Sequence, residues 1–321
     1  MRLHYLRNYR FWLNFLAMIA LVVVLFKPEV PIKRERPDFF FVIDITGSMN
    51  VRDYVFADRA RSRLDQAKHV ITETLSHLAC GSRAGLAAFS ERRVFLMIEP
   101  VEICNNYDAL VSSLHDLDWR MAWEGDSYIA QGVYDSIALA QVIDSSPIFI
   151  SDGHEAPPLP AVGGPQFTGN PEATHGLLVG AGGDELSPIP KFDDLGNEIG
   201  FYEMDEVVQE NRHGLPPAEV QEREGWHPRN APFGIGAPEG NEHLSSVKRD
   251  YLQKLADSTG MGYVDLKDSQ TMISGIEKHI LKRSSATFLD LRPYLGGLAG
   301  ILILLYYMSA LWPRRNIGFA R

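Results

Sequence analysis

Asp38-Phe39-Phe40-Phe41-Val42-Ile43-Asp44-Ile45-Thr46-Gly47-Ser48-Met49 is the stretch whose reading decides the fold. Five consecutive apolar residues closed by a carboxylate describe a strand buried on both faces, as in the centre of a parallel sheet. Downstream, Leu64, Ala67, Val70, Ile71, Leu75 and Leu78 recur at helical spacing. The apolar runs Ala84 to Phe89 and Val94 to Ile98 flank Ser90-Glu91-Arg92-Arg93, a hairpin signal. Helices are predicted from about Tyr107 to Leu117, Tyr128 to Val142, Val247 to Ser258 and Gln270 to Leu281, and strands at Pro147 to Ser151, Gly176 to Val179 and Met261 to Val264. Alternating strands and helices with one hairpin predict an α/β fold: a doubly wound, mostly parallel sheet with one antiparallel edge strand.

The composition supports a folded chain. Of 321 residues 45% are hydrophobic and 22% charged, ample for a large core. The net charge of -10 conceals a segregation, because residues 1 to 27 and 291 to 321 contain no Asp or Glu. The remaining body has 23 basic against 41 acidic residues, a net of -18. Such a body repels phosphate backbones, so nucleic acid is excluded as the expected partner.

The basic ends flank two apolar runs, Phe11 to Phe26 and Tyr294 to Trp312. The second has the length of a bilayer span, with Tyr306, Tyr307 and Trp312 as interfacial anchors and Arg314 and Arg315 beyond it. The first is shorter and follows Arg2, Arg7 and Arg10, which also suits a signal peptide. The sequence after it, Lys27-Pro28-Glu29-Val30-Pro31, is no small-residue cleavage site and favours an uncleaved anchor. The expected organisation is a basic tail, anchor and linker over 1–36, an exposed domain over 37–285, and a transmembrane helix with a basic tail over 286–321. Short basic tails prefer the cytoplasm, so the two spans are expected to hold both termini there, in a bacterial inner membrane, with the domain in the periplasm. Lys33, Arg34 and Arg36 beyond the first span weigh against this orientation. An oxidising compartment lets Cys80 and Cys104 pair; as unpaired residues they are small buried hydrophobes.

Ligands of doubly wound sheets bind beyond the carboxyl ends of the strands. One strand ends in Asp44-Ile45-Thr46-Gly47-Ser48, another in Ser151-Asp152-Gly153-His154-Glu155, and Gly125-Asp126-Ser127 opens a helix between them. Hydroxyl and carboxylate oxygens from three loops at one sheet edge suit a hard divalent cation, with a coordination position left open. Magnesium is the expected ion; residue type leaves calcium and manganese open.

These residues resemble the von Willebrand factor A domain and its metal-ion-dependent adhesion site, whose pattern is Asp-x-Ser-x-Ser, a later Thr opening a helix, and an Asp-Gly at a strand end. Asp44, Thr46 and Ser48 match the first element with Thr in place of Ser, Ser127 stands where Thr is expected, and Asp152 matches the last. The resemblance implies that Thr46, Ser48 and Ser127 touch the ion or its waters, that Asp44 and Asp152 hold it partly through water, and that a partner's carboxylate completes the shell. Gly180-Ala181-Gly182, Ser187-Pro188-Ile189-Pro190 and Tyr251 to Ala256 are similar to BatA- and BatB-like two-span membrane proteins with this domain, which work beside MoxR-type AAA+ ATPases. Leu78 to Arg83, Asp118 to Ser127 and Asp152 to Pro158 resemble the MxaL-type proteins of methanol-oxidation clusters. That resemblance implies a role in maturing, or inserting calcium into, a periplasmic methanol dehydrogenase. The partners it implies are that enzyme, its maturation proteins and other proteins with this domain.

Each residue also has a plainer reading. Asp44 and Asp152 suit helix capping, and Asp126 suits a surface N-cap of the helix at Tyr128. Trp119, Trp123 and Glu124 precede the ligand loop, either as a rim that meets the partner or as core packing. His154 and Glu155 belong to the same candidate rim and are the only candidates for a general base at an activated water. No P-loop, dinucleotide fingerprint, Gly-x-Ser-x-Gly elbow or His-Glu-x-x-His motif occurs, so a non-catalytic binding module is expected; the alternative is a general envelope assembly or stress factor working with a MoxR-type ATPase on another client, and a metallohydrolase is the lesser one. The acidic, proline-interleaved stretch 202–245 reads either as an insertion that recognises the partner or as a solvated loop.

Overall fold

Phe39, Phe41 and Ile43 lie on one face of the central strand and Phe40 and Val42 on the other, all at most 1% exposed, in the computed structural model. The structure describes residues 9–122, 126–159, 163–193, 195–208 and 240–311. Two compact units result: Glu35–Arg283, and the chain ends Met1–Arg34 with Ser284–Arg321.

In chain order the helices are α1 (Tyr9–Leu25), α2 (Arg63–His77), α3 (Ile103–Asp116), α4 (Ile129–Ile143), α5 (Arg249–Thr259), α6 (Ser269–His279) and α7 (Arg292–Leu311). The strands are β1 (Glu29–Asp44), β2 (Tyr54–Phe56), β3 (Arg59–Arg61), β4 (Arg83–Ser90), β5 (Arg93–Glu102), β6 (Ser146–Ser151), β7 (Leu177–Gly180), β8 (Ser187–Pro188), β9 (Pro190–Phe192), β10 (Glu198–Phe201), β11 (Leu244–Ser245), β12 (Gly262–Asp265) and β13 (Lys282–Asp290).

The main sheet runs β12-β7-β6-β1-β4-β5, with β13 also paired to β1. Every pairing along that path is parallel except β4 with β5, the antiparallel edge expected from the hairpin signal. The chain leaves β1 for β4 on one side and returns through α4 to β6 on the other. Strand order therefore reverses at β1, and the carboxyl ends of β1 and β6 flank the crevice where this topology places ligands. The two faces of β1 carry separate cores. Phe39, Phe41 and Ile43 pack with residues of α2, α3 and α6, whereas Phe40 and Val42 pack with residues of α4 and α5. Burying each of the three phenylalanines contributes about 1.5–3 kcal/mol.

Some boundaries differ from the sequence expectation. The strand begins at Glu29, since β13 pairs with β1, a partnership that the charged run Lys33 to Arg36 does not signal. Helix α3 starts at Ile103 because Glu102 caps it, accepting the Asn105 N–H at 2.8 Å. The hairpins β2/β3 and β9/β10 and the bridge β8/β11 were not expected. Cys80 and Cys104 form a disulfide with Cα atoms 5.4 Å apart.

In the second unit, α1 and α7 pack through Ala17, Ala20 and Ala299, and small residues let helix backbones approach closely. These helices occupy the two apolar runs expected to be transmembrane. Among the described residues, however, no helix is long and apolar enough to cross a membrane. Helix α1 stops at Leu25 after 17 residues, and the first two residues of α7 are Arg292 and Pro293. Trp312 lies outside the described residues.

Candidate metal site

The candidate site is built from the carboxyl ends of β1 and β6 and the start of α4. At the end of β1 the chain turns into a short 3₁₀ helix, Gly47–Asn50, held by the Ile45 N–H donating to the Phe89 carbonyl at 3.1 Å. That turn folds Thr46 back onto Asp44. The Thr46 N–H and Oγ1 donate to Asp44 Oδ1 at 2.9 and 2.7 Å, and Ser151 Oγ donates to Asp44 Oδ2 at 2.7 Å. Asp44 therefore caps no regular α-helix and is fixed as an acceptor at the crevice.

Ser127 is set by backbone pairing. Its N–H donates to the Ala156 carbonyl at 2.6 Å, the Ala156 N–H returns to its carbonyl at 2.8 Å, and the Tyr128 N–H donates to the Glu91 carbonyl at 2.6 Å. Its hydroxyl oxygen is nevertheless buried without a hydrogen-bond partner. A buried orphan hydroxyl costs about 1–3 kcal/mol unless a further group satisfies it.

Asp152 lies across from Asp44 at the end of β6. Its Oδ1 accepts the His154 N–H at 3.0 Å, and its Oδ2 accepts from Arg63 Nη1 at 2.5 Å and Ser245 Oγ at 2.9 Å. Ser48 also hydrogen-bonds to it. Burial works to raise the Asp152 carboxyl, but Arg63, His154 and the hydrogen bonds outweigh it and hold the group below the usual carboxylate range. Asp44 is the opposite case. Burial, and then the Asp152 charge beside it, push Asp44 up to about 7. An oxygen-only donor set, an orphaned serine hydroxyl and a carboxyl whose ionisation lacks a compensating cation together fit a hard divalent ion.

Other predicted site residues fall elsewhere than expected. Asp126 is 4% exposed, so it is no surface cap. Helix α4 is instead capped by Glu155, whose Oε2 and Oε1 accept the Ile129 and Ala130 N–H groups at 3.0 and 2.9 Å, and which also accepts from the Tyr251 hydroxyl. Burial raises the Glu155 carboxyl, and its oxygens are committed to α4 and Tyr251, which ill suits a general base. His154 is buried and pushed down to about 4 by that burial; its Nε2 lies 3.6 Å from Glu242 Oε2. His154, Glu155 and Asp126 are thus buried side chains lining a cavity, not an exposed rim. Trp119 stacks on Phe192 of β9 with ring centroids 4.2 Å apart. Trp123 and Glu124 lie outside the described residues. So do residues 209–239, the middle of the acidic stretch.

The ends of that stretch reach the site. A cavity of about 110 Å³ is floored by Thr46, Ser48 and Ser127 and walled in part by Tyr202, Val208 and Glu242.

Four residues that sequence reasoning passed over complete the arrangement: Ser151, Arg63, Asp53 and Ser245. Arg63 is fully buried, and its Nε and Nη2 donate to Asp53 Oδ2 at 2.9 and 2.7 Å. Its signal was present, because Arg63 falls on the same helical stripe as Ala67 and Val70, where an apolar residue is the norm. Gly182, at a φ of +126°, makes room for it: a Cβ there would come 2.7 Å from Arg63 Nε.

The fold and site define an α/β domain with a hydroxyl-and-carboxylate centre at its topological switch point. Residues 39–154 match the family model of the von Willebrand factor type A domain, a span that includes every ligand candidate. No curated protein matches the sequence. Among solved structures the chain is similar to BatB from Bacteroides thetaiotaomicron, at 16% identity over 75% of this chain and 97% of that one, with a TM-score of 0.45. It is similar to an aerotolerance-related membrane protein from Bacteroides fragilis at 14% identity, 75% and 96% coverage and a TM-score of 0.45. It is also similar to the manganese-loaded TRAP protein of Plasmodium vivax at 10% identity, 82% coverage of both chains and a TM-score of 0.35.

Proposed function

We propose that this chain is a membrane-anchored, divalent-cation-dependent protein-binding module, with Asp44, Thr46, Ser48, Ser127 and Asp152 as the cation's ligand set. The observation that carries the reading is Asp44: a buried carboxyl at a sheet edge, surrounded by hydroxyls and a second carboxylate, with no cationic side chain among its hydrogen-bond partners. The ion, when bound, supplies an electrophile to which an acidic group of a partner can attach. The chain's own residues fix the hydroxyls and hold the two carboxylates at the crevice. Magnesium is the ion we propose, with calcium and manganese as the alternatives to test.

The chain ends supply the anchor in this reading. Helices α1 and α7 would run about 25 and 30 Å at 1.5 Å per residue, against a hydrocarbon core of about 30 Å. They expose Phe11, Trp12, Leu16, Ile301, Leu304 and Tyr307. The Cys80–Cys104 disulfide supports an oxidising, periplasmic setting for the domain. The client we propose is a periplasmic methanol dehydrogenase or its maturation proteins, on the resemblance of Leu78 to Arg83, Asp118 to Ser127 and Asp152 to Pro158. A MoxR-type ATPase would act through a further subunit.

The test is affinity capture from native membranes with wild-type chain and Asp44→Ala, each in divalent cation and in chelator. A dehydrogenase or its assembly proteins held only by wild type with cation supports the reading. Equal capture by the variant rejects cation-dependent docking, and capture of unrelated envelope proteins alone rejects the client.

A further inference from the structure

Arg63 is the one fully buried cation beside the ligand set among the described residues. Its guanidinium bridges two carboxylates. Nε and Nη2 meet Asp53 Oδ2, Nη1 meets Asp152 Oδ2 at 2.5 Å, and Ser245 closes the ring by accepting from Nη1 at 2.7 Å while donating to the same Asp152 oxygen. The Ser245 carbonyl takes a further bond from Nη2 at 3.1 Å. The Gly183 N–H, donating to Asp53 Oδ2 at 2.8 Å, and the room left by Gly182 fix the clamp from the far side. The donors to Asp44 are other groups, Thr46 and Ser151.

The clamp has a consequence for electrostatics. A divalent ion placed between Asp44 and Asp152 faces one carboxylate with no cationic partner and one already engaged by a guanidinium. Resting on the cation-site reading above, we propose that Arg63 is a positioning residue that lowers the charge of the cation site: it pins Asp152 through Oδ2, offsets its negative charge and so weakens the hold on the ion. An ion held by one uncompensated carboxylate keeps more of its charge for a group arriving from outside than an ion held by two. A purely structural ion pair makes the opposite prediction, because loosening it disorders the ligand set and lowers cation affinity.

The experiment is calorimetric titration of the full chain in detergent with Mg²⁺ and with Mn²⁺. Asp44→Ala serves as the control on the site itself. Arg63→Met, which keeps an unbranched stem and removes the charge, is expected to bind the ion about tenfold more tightly, since a neighbouring opposite charge alters a buried carboxylate by one or more powers of ten. Arg63→Lys keeps the charge but not the guanidinium fork, and its cation affinity is expected to lie between those of wild type and Arg63→Met. Arg63→Met that folds, by circular dichroism and thermal melting, and binds no more tightly than wild type overturns the proposal. Should that variant not fold, Arg63→Gln decides: it keeps amide donors and removes the charge, and it too is expected to bind the ion more tightly than wild type. Binding by Arg63→Gln equal to or weaker than wild type overturns the proposal as well. Absence of cation binding by wild type overturns the site reading itself, a result distinct from any difference among the Arg63 variants.

Discussion

Asp38 and Asp44 stand six residues apart at the two ends of the core segment of one strand, both almost fully buried, yet their surroundings are opposite. Asp38 is balanced. Arg83 Nη1 donates to it at 3.0 Å, Ser145 Oγ donates at 2.9 Å, and Arg283 Nε lies at 3.8 Å. Among the described residues Asp44 has only hydroxyls and a backbone N–H as hydrogen-bond donors, and a second carboxylate faces it. A buried charge is tolerated where a cation accompanies it. At the amino end of the strand the protein supplies that cation from its own arginines; at the carboxyl end, in the reading proposed above, it leaves the place to an ion.

Substituting the two aspartates in parallel tests this contrast directly. The largest effect expected is on cation binding: Asp44→Ala should weaken Mg²⁺ affinity by at least about a hundredfold in calorimetric titration, whereas Asp38→Asn should leave it unchanged. Equal loss in both would show that the two ends are not chemically distinct.

Next comes the stability of the carboxyl end. Glu155→Ala should destabilise the domain by about 2–3 kcal/mol in chemical denaturation, because it orphans two helix N–H groups and the Tyr251 hydroxyl. A cost below about 0.5 kcal/mol would remove Glu155 from the cap.

Third, the two aspartates should differ in sign when measured in chelator. Asp38→Asn should cost about 1–2 kcal/mol, a figure reduced because Arg83 and Arg283 are partly exposed. Asp44→Asn should be neutral or stabilising, since it removes a buried carboxylate that burial already disfavours. Destabilisation of similar size at both positions would break the comparison.

The smallest effect belongs to the disulfide corner at the amino end. Burial works to raise the Glu102 carboxyl, but the N–H groups of Gly81 and Asn105 outweigh it and hold it below its ordinary 4.5. A carboxyl lowered on folding stabilises fully above the unfolded value, and that contribution is lost as pH falls through the folded one. Glu102→Gln should therefore flatten the loss of stability below about pH 4.5, by less than about 1 kcal/mol given solvent screening. An unchanged acid limb would show that the cap does not titrate with folding.

The comparison also separates what was legible from what was not. The strand Phe39 to Ile43 announces itself because a two-sided core demands an unbroken apolar run, and the helical stripe Leu64, Ala67, Val70, Ile71 fixes what covers one face. Asp44, Thr46, Ser48, Ser127 and Asp152 were readable because the doubly wound order predicts which loops meet at the carboxyl edge. The strand extension to Glu29 was not, since its pairing with β13 depends on a segment about 250 residues away. Nor was the role of Glu155, which reads locally as a companion of His154 but reaches across to the first turn of α4.

By itself, then, the sequence determined the layer order, the antiparallel edge and the residues that gather at the switch point, because these follow from local periodicity and from the handedness of strand-helix-strand connections. Only the tertiary structure decided how charge is shared among them. Arg63, Asp53 and Ser245 come from α2, the loop before β2 and the strand at the end of the acidic stretch, and no spacing along the chain reports that they gather beside Asp152. Burial strengthens every such pairing and penalises every charge left out, so which carboxylate is balanced by an arginine and which is not depends on distances that exist only in the folded chain.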